Sequence, residues 1–356
     1  MKLQTNDSRI DTLRNFYRGK GATSIHLVLA SNLYWLLGGR VQVGVGGVNG
    51  VCEVVVNNDG IYVITNTIEE RRLREEEIGD NAEFLTSSWK GPLESTKFKA
   101  LLGVAPLEDK DYEADMCSLR SVLLEGQIEE LRLISLAAGA AMEKTCFSLQ
   151  RGMSEHEIAS LIAQQCYAQG LEPIVLFAAC DERISRYRHA LSTDNRLDRI
   201  AMISLGARKH GLNTSITRFV SFGEVDEQTK RAQEAVNKLA ALLYAKSRPA
   251  ASYLELFSEL ERGYQEVGYP DEILLHHQGG LAGFQVREVK INGRVEGIVQ
   301  ANQVFAWNPS ITGFKSEDLL LIGTQENQIL TQTPNLPSET VSYEGKTFSL
   351  STFLVR

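Results

Sequence analysis

The alternation of apolar and polar positions predicts a small α/β unit in the first hundred residues. A helical spacing covers residues 9–18, and the apolar runs SIHLVLA, CEVVVN and GIYVIT follow it as strands. The NDG tripeptide between the last two runs is typical of a hairpin turn. The stretch GGRVQVGVGGVNG has Asn49 where a dinucleotide-binding loop needs its third glycine, so we interpret it as a plain loop.

After this unit the pattern changes to long amphipathic segments. The charged, aperiodic stretch KDYEADM, residues 110–116, separates the two patterns and marks a domain boundary. The sequence therefore predicts a smaller N-terminal domain over residues 1–116 and a larger domain over residues 117–356. The larger domain is predicted to open with one helix from Leu119 to Cys146.

The larger domain contains an internal repeat. Residues 152–176 and 250–275 both begin with a serine-x-x-glutamate capping box, which satisfies free N–H groups at a helix start. Both blocks reach a glycine suited to a left-handed helix end, and each follows an earlier helix, the second of them over residues 226–245. Two copies of helix, helix and antiparallel strands predict a pseudo-symmetric α+β domain with a site where the halves meet. The repeated residues are Ser154 and Ser252, Glu157 and Glu255, and Gly170 and Gly268.

Composition narrows the range of ligands. The 356 residues suit two domains, and a net charge of -8 argues against nucleic acid or an anionic membrane as the partner. No segment has the pattern of a signal peptide or a membrane span, so we expect a cytoplasmic protein that binds a small molecule or a peptide. The cysteines form no CxxC pair and are expected to be reduced and buried.

Two serines lie on a predicted hairpin of the larger domain. In AMISLGARKHGLNTSITRFVSFG, two apolar strands flank a polar turn. A reversal between Lys209 and His210 would place Ser204 opposite Ser215, with their β-carbons about 5 Å apart. One pocket could therefore hold both hydroxyls.

A second predicted hairpin carries further polar groups. In VFAWNPSITGFKSEDLLLIG, Asn308 lies on one strand, and Glu317 with Asp318 lies on the other. The segment LLHHQGGLAG places paired histidines beside a glycine-rich backbone. Buried polar groups need partners, so this cluster is either a ligand site or a satisfied structural network, and the residues alone leave both open.

The sequence resembles the superfamily of creatinase, prolidase, aminopeptidase P and methionine aminopeptidase along nearly the whole chain. The stretches SNLYWLLGGR and NDGIYVITNTIEERRLREEE resemble the creatinase-type N-terminal domain, and residues from about Leu119 onward resemble the pita-bread domain. The resemblance implies an α/β N-terminal domain, a pita-bread C-terminal domain with pseudo-two-fold symmetry, and a homodimer. Metal-dependent members bind two metal ions through two aspartates, a histidine and two glutamates, and these ions activate a hydroxide.

The positions that match these metal ligands have mostly lost their carboxylates. The two aspartate positions keep an 11-residue spacing but carry serines, and the first glutamate position carries an amide. The histidine is assigned to His277, and the neighbouring His276 leaves this register open by one. One carboxylate does not balance two divalent ions, so we expect no metal pair and at most one weakly bound divalent ion. In chain order the five positions are Ser204, Ser215, His277, Asn308 and Glu317.

Other parts of the family's active site have counterparts in this chain. RHALST resembles the segment with the substrate-contacting histidine, which corresponds to His189, and Thr217 with Arg218 matches a threonine-arginine pair. The resemblance implies that the catalytic residues are His189, His277 and Glu317, and that the substrate-binding residues are Ser204, Ser215, Arg218 and Asn308.

Three functions stay open at this point. The first is a metal-independent hydrolase of a small amide, amidine or amino-acid derivative, as creatinase is within this superfamily, with a histidine as general acid and base. The second is a binding or regulatory protein that kept the pocket without catalysis. The third is a conventional metal-dependent Xaa-Pro aminopeptidase or dipeptidase. The loss of three carboxylates favours the first two.

Overall fold

The computed structural model describes residues 7–91 and 96–356. The chain divides into two compact units, and each is described by itself. The first unit ends at Ser121 and includes His210–Leu212, and the second comprises Val122–Lys209 and Asn213–Arg356. This division falls shortly after the boundary predicted between residues 116 and 117. The exact bounds of the two domains, residues 1–116 and 117–356, stay a prediction.

The first unit contains the predicted N-terminal helix and the three predicted strands. The helix begins after Asp7, because the carboxylate of that residue accepts a hydrogen bond from the Arg9 N–H at 3.0 Å. The helices are α1 (Ser8–Gly19), α2 (Ala30–Leu37), α3 (Glu70–Arg72) with a π-helical turn (Leu73–Ile78), α4 (Thr96–Leu102), a 3-10 turn (Asp109–Asp111) and α5 (Glu113–Arg120). The strands are β1 (Ser24–Leu29), β2 (Asn49–Asn57), β3 (Ile61–Asn66), β4 (Glu83–Ser87) and β5 (Pro106–Glu108).

These strands form a mixed sheet in the order β4-β3-β2-β1-β5. β2 and β3 pair antiparallel across the NDG turn, which confirms the predicted hairpin. The glycine-rich stretch before β2 is irregular from Gly39 to Val48, in agreement with its interpretation as a loop. β1 pairs antiparallel with β2 and parallel with β5, so it lies between them.

His26 connects these three neighbouring strands. It lies on β1, where its Nδ1 is 2.9 Å from Glu108 Oε2 on β5 and its Nε2 is 2.9 Å from Glu53 Oε2 on β2. Burial opposes protonation of the imidazole, but the two carboxylates outweigh it and raise the pKa of His26 above 6.5. The protonated ring donates to both carboxylates and therefore ties β2 and β5 to β1.

The second unit repeats the sequence of two long helices followed by antiparallel strands. Its helices are α6 (Glu125–Ser148), α7 (Glu155–Ala168), α8 (Glu182–Arg186), α9 (Glu227–Lys246), α10 (Tyr253–Glu266) and a 3-10 turn (Glu272–Leu275). Its strands are β6 (Glu172–Cys180), β7 (Ile200–Lys209), β8 (Leu212–Ser221), β9 (Gly279–Ala282), β10 (Val289–Lys290), β11 (Val304–Trp307), β12 (Ser310–Ile311), β13 (Phe314–Lys315), β14 (Asp318–Leu321), β15 (Gln328–Ile329), β16 (Ser338–Tyr343), β17 (Lys346–Ser351) and β18 (Phe353–Val355).

The second unit contains two main sheets. The first has the order β18-β8-β7-β6, and the second has the order β10-β9-β11-β14-β15. A bridge joins the two sheets where the Thr217 N–H donates to the Glu317 carbonyl at 3.1 Å. This bridge brings one hairpin from each half together, as the repeat predicted.

The two helix starts of the repeat differ in detail. Ser154 and Glu157 form the predicted capping box, with the Glu157 N–H donating to Ser154 Oγ at 3.1 Å. Ser252 precedes α10 but makes no side-chain capping bond, so the second capping box is wrong. The Tyr253 N–H donates instead to the Gly297 carbonyl at 2.9 Å, and a neighbouring chain segment satisfies this helix end. The glycines at the helix ends have the expected positive φ, 69° at Gly170 and 84° at Gly268.

The helix predicted from Leu119 to Cys146 is interrupted near its start. α5 ends at Arg120 and α6 begins at Glu125. The Gln127 side chain accepts a hydrogen bond from the Leu124 N–H at 3.0 Å, which satisfies a helix N-terminus at that point. Residues 121–124 therefore separate two helices where the sequence predicted one continuous helix. The helix predicted over residues 226–245 is confirmed as α9.

The hairpin of β7 and β8 turns one residue later than predicted. Its turn residues are His210 and Gly211, both in the left-handed region with φ of 48° and 84°. A two-residue turn sets Ser204 across from Thr217, and their hydroxyl oxygens lie 2.7 Å apart. Ser215 is therefore a diagonal neighbour of Ser204 on the same face of the sheet and does not lie opposite it.

The cysteines are buried and form no disulfide bond in the part of the chain that the structure describes, as the sequence predicted. Burial raises the pKa of Cys52, Cys146, Cys166 and Cys180 to about 12. These thiols are therefore protonated and unreactive near neutral pH. Among residues 7–91 and 96–356, no helix combines the length and the apolar character needed to cross a bilayer.

Arg218 forms a buried ion pair that fixes β8 to the second sheet. Its Nη2 donates to Asp318 Oδ1 at 2.8 Å and to the Thr331 carbonyl at 2.8 Å, and its Nε donates to Thr333 Oγ1 at 2.8 Å. Both charged side chains are 4% exposed. Since Asp318 also accepts from Thr331 Oγ1 at 2.7 Å, the pair is fully hydrogen-bonded where it is buried.

We predict that His26 makes the stability of the protein depend on pH. Its folded pKa is raised above 6.5, so its contribution is complete below pH 6.5 and is lost as pH rises through the folded pKa. Urea unfolding between pH 6 and pH 9 should show a decline in the free energy of unfolding that H26Q removes. The exposed-site variant H156Q should keep the decline, and an unchanged profile for H26Q would refute the assignment.

We predict that D318N lowers the free energy of unfolding by about 3 kcal/mol, because the Arg218 charge would remain buried without its partner. Urea or thermal unfolding measures the change. The matched control is E227Q, which breaks an exposed pair with Lys230 at 3.0 Å and should leave stability nearly unchanged. Equal effects of the two substitutions would show that the buried pair has no special role.

Candidate active site

A cavity of about 450 Å³ lies where the two sheets of the second unit meet. Cavities of this size take small ligands, and this one combines an apolar wall with polar groups from both halves of the repeat. Val175, Phe177 and Leu205 contribute the apolar part. The residues predicted from the sequence that line the cavity are His189, Ser204, Ser215, His277, Asn308 and Glu317.

Glu317 lies at the centre of the polar wall, immediately before β14. Its Oε2 accepts hydrogen bonds from Ser204 Oγ at 3.0 Å, Thr217 Oγ1 at 2.7 Å and Lys315 Nζ at 2.9 Å. Its Oε1 accepts one from Arg287 Nη2 at 3.0 Å. Both carboxylate oxygens are therefore occupied by donors, and two of the donors carry a positive charge.

Two opposing effects act on the ionisation of Glu317. Burial by itself would raise the pKa of Glu317, since a desolvated carboxylate favours its neutral form. Lys315 and Arg287, assisted by the Thr217 hydroxyl, outweigh burial and hold the pKa of Glu317 well below its usual range. The carboxylate is consequently ionised throughout the physiological pH range.

The same two cations also contact the other predicted ligand positions. Lys315 Nζ donates to Ser204 Oγ at 2.6 Å. Arg287 Nη2 donates to Asn308 Oδ1 at 2.9 Å, and its Nη1 contacts Ser215 Oγ at 3.3 Å. The side chains of both cations are buried, at 8% and 7% exposure. Every oxygen-bearing position of the predicted metal site is thus hydrogen-bonded to a protein cation.

A close approach of two backbones fixes the position of Asn308. Gly279, in the HHQGG segment, has φ of 106°, and a β-carbon there would lie 2.2 Å from the Ala306 carbonyl. Only glycine permits this contact between β9 and β11. The Asn308 Nδ2 then donates to the His277 carbonyl at 2.9 Å, so its Oδ1 is turned towards Arg287.

Three histidines form the opposite side of the cavity. His276 Nε2 lies 3.1 Å from His189 Nε2, and His189 stacks on Phe177 with ring centroids 5.2 Å apart. Burial lowers the pKa of His276 to about 2 and that of His277 to about 4, and it also lowers the pKa of His189. Lys315 and Arg287 contribute to these shifts through charge repulsion. All three imidazoles are neutral at pH 7.

The histidines are also close enough to share an ion. His189, His276 and His277 each offer a nitrogen, and these atoms lie within 4.8 Å of one another. His277 Nδ1 is buried and has no hydrogen-bond partner among the described residues. Neutral imidazoles are good ligands for a single transition-metal ion, whereas hard divalent ions prefer anionic oxygen.

One predicted substrate-binding residue lies away from the cavity. Arg218 does not line it, because side chains alternate along β8 and its neighbour Thr217 faces the site. The predicted catalytic residues His277 and Glu317 both line the cavity, and the described residues show no hydrogen bond between them. The sequence left open whether His276 or His277 is the site histidine, and in the structure the two make different contacts. The His276 ring contacts His189, whereas the His277 carbonyl accepts a hydrogen bond from Asn308.

Two functional residues were missed by the sequence reasoning. Lys315 precedes Glu317 by two positions, and the two-residue period of an extended chain places both side chains on one face. The position of Lys315 beside Glu317 could therefore have been predicted from the sequence. Arg287 lies in the connection between β9 and β10, where nothing in the local sequence predicts the direction of a side chain. Its position depends on the path of that connection across the cavity.

The chain is similar in sequence to two Xaa-Pro dipeptidases of archaeal origin. The chain is 25% identical over 235 residues to a Xaa-Pro dipeptidase of Pyrococcus furiosus, which covers 64% of this chain and 67% of the relative. It is 26% identical over 239 residues to a Xaa-Pro dipeptidase of Pyrococcus horikoshii, with the same coverage.

Structural comparison extends the likeness to the first hundred residues. The crystal structure of a prolidase from Pyrococcus horikoshii covers 92% of this chain and 99% of its own, with a TM-score of 0.76 and 19% identity. That agreement confirms the predicted two-part architecture and the pita-bread fold. The sequence profile of metallopeptidase family M24 matches residues 129–328, more than half of the chain, and the chain therefore belongs to that family.

Proposed function

We propose that this chain is a metal-independent hydrolase of a small amide, amidine or amino-acid derivative. The observation that carries the proposal is that Glu317, the carboxylate among the five predicted ligand positions, is already neutralised by Lys315 and Arg287. The family relationship supports hydrolysis as the reaction class, and the names of the relatives suggest Xaa-Pro dipeptides as the first substrates to test.

The donor set does not fit a pair of divalent ions. A dinuclear site needs several anionic oxygens to offset the dehydration of its ions, whereas hydroxyls and an amide are neutral. Here Ser204, Ser215 and Asn308 supply only neutral donors, and the remaining carboxylate faces two buried cations. The proposed reaction therefore uses only side chains of the chain itself.

His189 is the best placed of the three histidines to act as general base. It is the exposed member of the group and it lines the cavity, so a water beside it can reach a bound substrate. His189 would take a proton from that water as the oxygen attacks the carbonyl or amidine carbon. It would then return the proton to the leaving nitrogen as the carbon–nitrogen bond breaks. His276, at 3.1 Å, positions the ring.

A second candidate function is ligand binding without turnover. The observation in its favour is that Glu317 has four polar partners within the protein. Its hydrogen bonds are satisfied in the absence of a substrate, so the carboxylate is not poised to react. A small polar molecule could bind at the unpartnered Nδ1 of His277 and Nε of Arg287. This function predicts tight binding and no product.

We expect chelation to leave the activity intact. The purified protein, treated with a strong chelator and checked for metal content, is assayed on Xaa-Pro dipeptides, N-acyl amino acids and small amidines. The proposal predicts turnover of at least one class at the same rate before and after chelation, because no ion takes part. Turnover that requires added manganese, cobalt or zinc would establish the conventional metallopeptidase instead, and binding without product would favour the second candidate.

We expect H189N to lower kcat/KM by about 10²- to 10⁴-fold, the range over which a general base contributes. Because the pKa of His189 is lowered below 6.5, the wild-type rate should be constant at neutral pH and should fall only at acid pH below 6.5, as the base becomes protonated. A pH profile of kcat/KM measures this. H156N, at an exposed position, should change neither value, and an unaltered profile in H189N would exclude His189 as the base.

A further inference from the structure

The four oxygen-bearing ligand positions are divided between two cations. Lys315 Nζ contacts Ser204 Oγ at 2.6 Å and Glu317 Oε2 at 2.9 Å. Arg287 contacts the remaining two positions with its two terminal nitrogens and Glu317 Oε1 with Nη2 at 3.0 Å. One carboxylate therefore bridges two positive groups, one through each oxygen.

We infer that the Lys315 ammonium and the Arg287 guanidinium are internal replacements for the two metal ions of the M24 site. Each stands among the residues that correspond to metal ligands, and together they use all four of the oxygen-bearing positions. This inference rests on the metal-independent function proposed above, but it concerns metal binding and is tested without turnover.

The charges of the pocket support the replacement. Four carboxylates would balance two divalent ions, whereas here a single carboxylate faces two side-chain cations. The wall therefore carries an excess of positive charge, because one carboxylate does not balance two cations. A divalent ion entering between Lys315 and Glu317, which are 2.9 Å apart, would meet the like charge of Lys315 at contact distance.

Both cations are also held in place by the fold. Arg287 Nη1 donates to the Val286 carbonyl at 2.7 Å, which fixes the guanidinium beside its own backbone. Lys315 belongs to β13, which pairs with β12 through Ser310. If either side chain turned out to solvent, the buried Glu317 would lose one of its two charged partners, and breaking a buried ion pair is strongly unfavourable.

A consequence is that restoring the missing carboxylates does not by itself restore a metal site. New carboxylates at positions 204, 215 and 308 would lie beside Lys315 and Arg287 and would pair with them. Metal binding should return only when these two cations are also removed. The requirement for both changes distinguishes replacement of the ions from simple loss of ligands.

The test compares three proteins by equilibrium dialysis with manganese and by elemental analysis. The first carries S204D, S215D and N308E, and the second adds K315A and R287A. The third is a charge-matched control that adds K230A and R262A, two exposed positions, to the first set. Every protein also carries H189A, so that the histidine cluster cannot hold an ion by itself.

We expect the second protein to bind two manganese ions at least about 100-fold more tightly than the first and the control, because only it lacks the like charges at the site. Two ions bound equally well by the first protein would overturn the inference. Circular dichroism and thermal unfolding check that each variant is folded. If the second protein does not fold, adding K315A or R287A singly to the first set should gain one ion each, and no gain in either would also overturn it.

A crystal structure of the first protein, grown with manganese, gives an independent reading. The introduced carboxylates should contact Lys315 and Arg287, with no manganese between them, and two bound ions would contradict the inference. The outcome is separable from the proposed function. Absence of turnover in the wild-type protein leaves the replacement intact, and metal binding by the first protein leaves metal-free turnover of the wild type unaffected.

Discussion

The buried carboxylate of Glu317 is the constraint on which the pocket depends. An ionised carboxylate inside a protein is stable only where opposite charge and hydrogen-bond donors surround it. Lys315 and Arg287 supply the charge, and Ser204 with Thr217 supplies neutral donors. Since these partners come from both halves of the repeat, the stability of one charge requires the two sheets to meet in this arrangement.

Burial and the same charges act together on the histidines at the other side of the cavity. Burial disfavours protonation of His276 and His277, and the charges of Lys315 and Arg287 act in the same direction. The cavity therefore combines fixed positive charge on one wall with neutral imidazoles on the other. Such a pocket suits a ligand with an electron-rich oxygen near the cations and a proton to exchange near His189. It is a poor environment for an additional cation.

The architecture was largely predictable from the sequence, because it depends on periodic features. Apolar spacing located α1 and α9, and the NDG turn located the hairpin between β2 and β3. One departure arose where a long-range contact replaced a local one, since the Gly297 carbonyl satisfies the start of α10 in place of Ser252. Another arose in a turn, since the turn at His210 and Gly211 makes Thr217 the partner of Ser204 in place of Ser215.

The candidate site was predictable only in part. The resemblance to the family located Ser204, Ser215 and Asn308 before the fold was known, and all three line the cavity. Arg218 was predicted to bind substrate, but a match to a motif does not show which face of a strand a residue occupies. Its guanidinium pairs with Asp318 away from the cavity. Arg287 depends on the path of a loop, which no local pattern encodes.

The loss of metal-binding carboxylates also changes the electrostatic balance of the pocket. When carboxylates become hydroxyls and an amide, the remaining carboxylate must still be neutralised, since burial of a lone charge is more costly than burial of a pair. An ion from solution and a side-chain cation are alternative solutions to the same electrostatic problem. They differ in that an ion exchanges with solvent, whereas Lys315 and Arg287 are covalently attached to the chain that they stabilise. The loss of ligands and the gain of internal cations are then one coupled change, because without the cations the remaining carboxylate would be buried without an opposite charge.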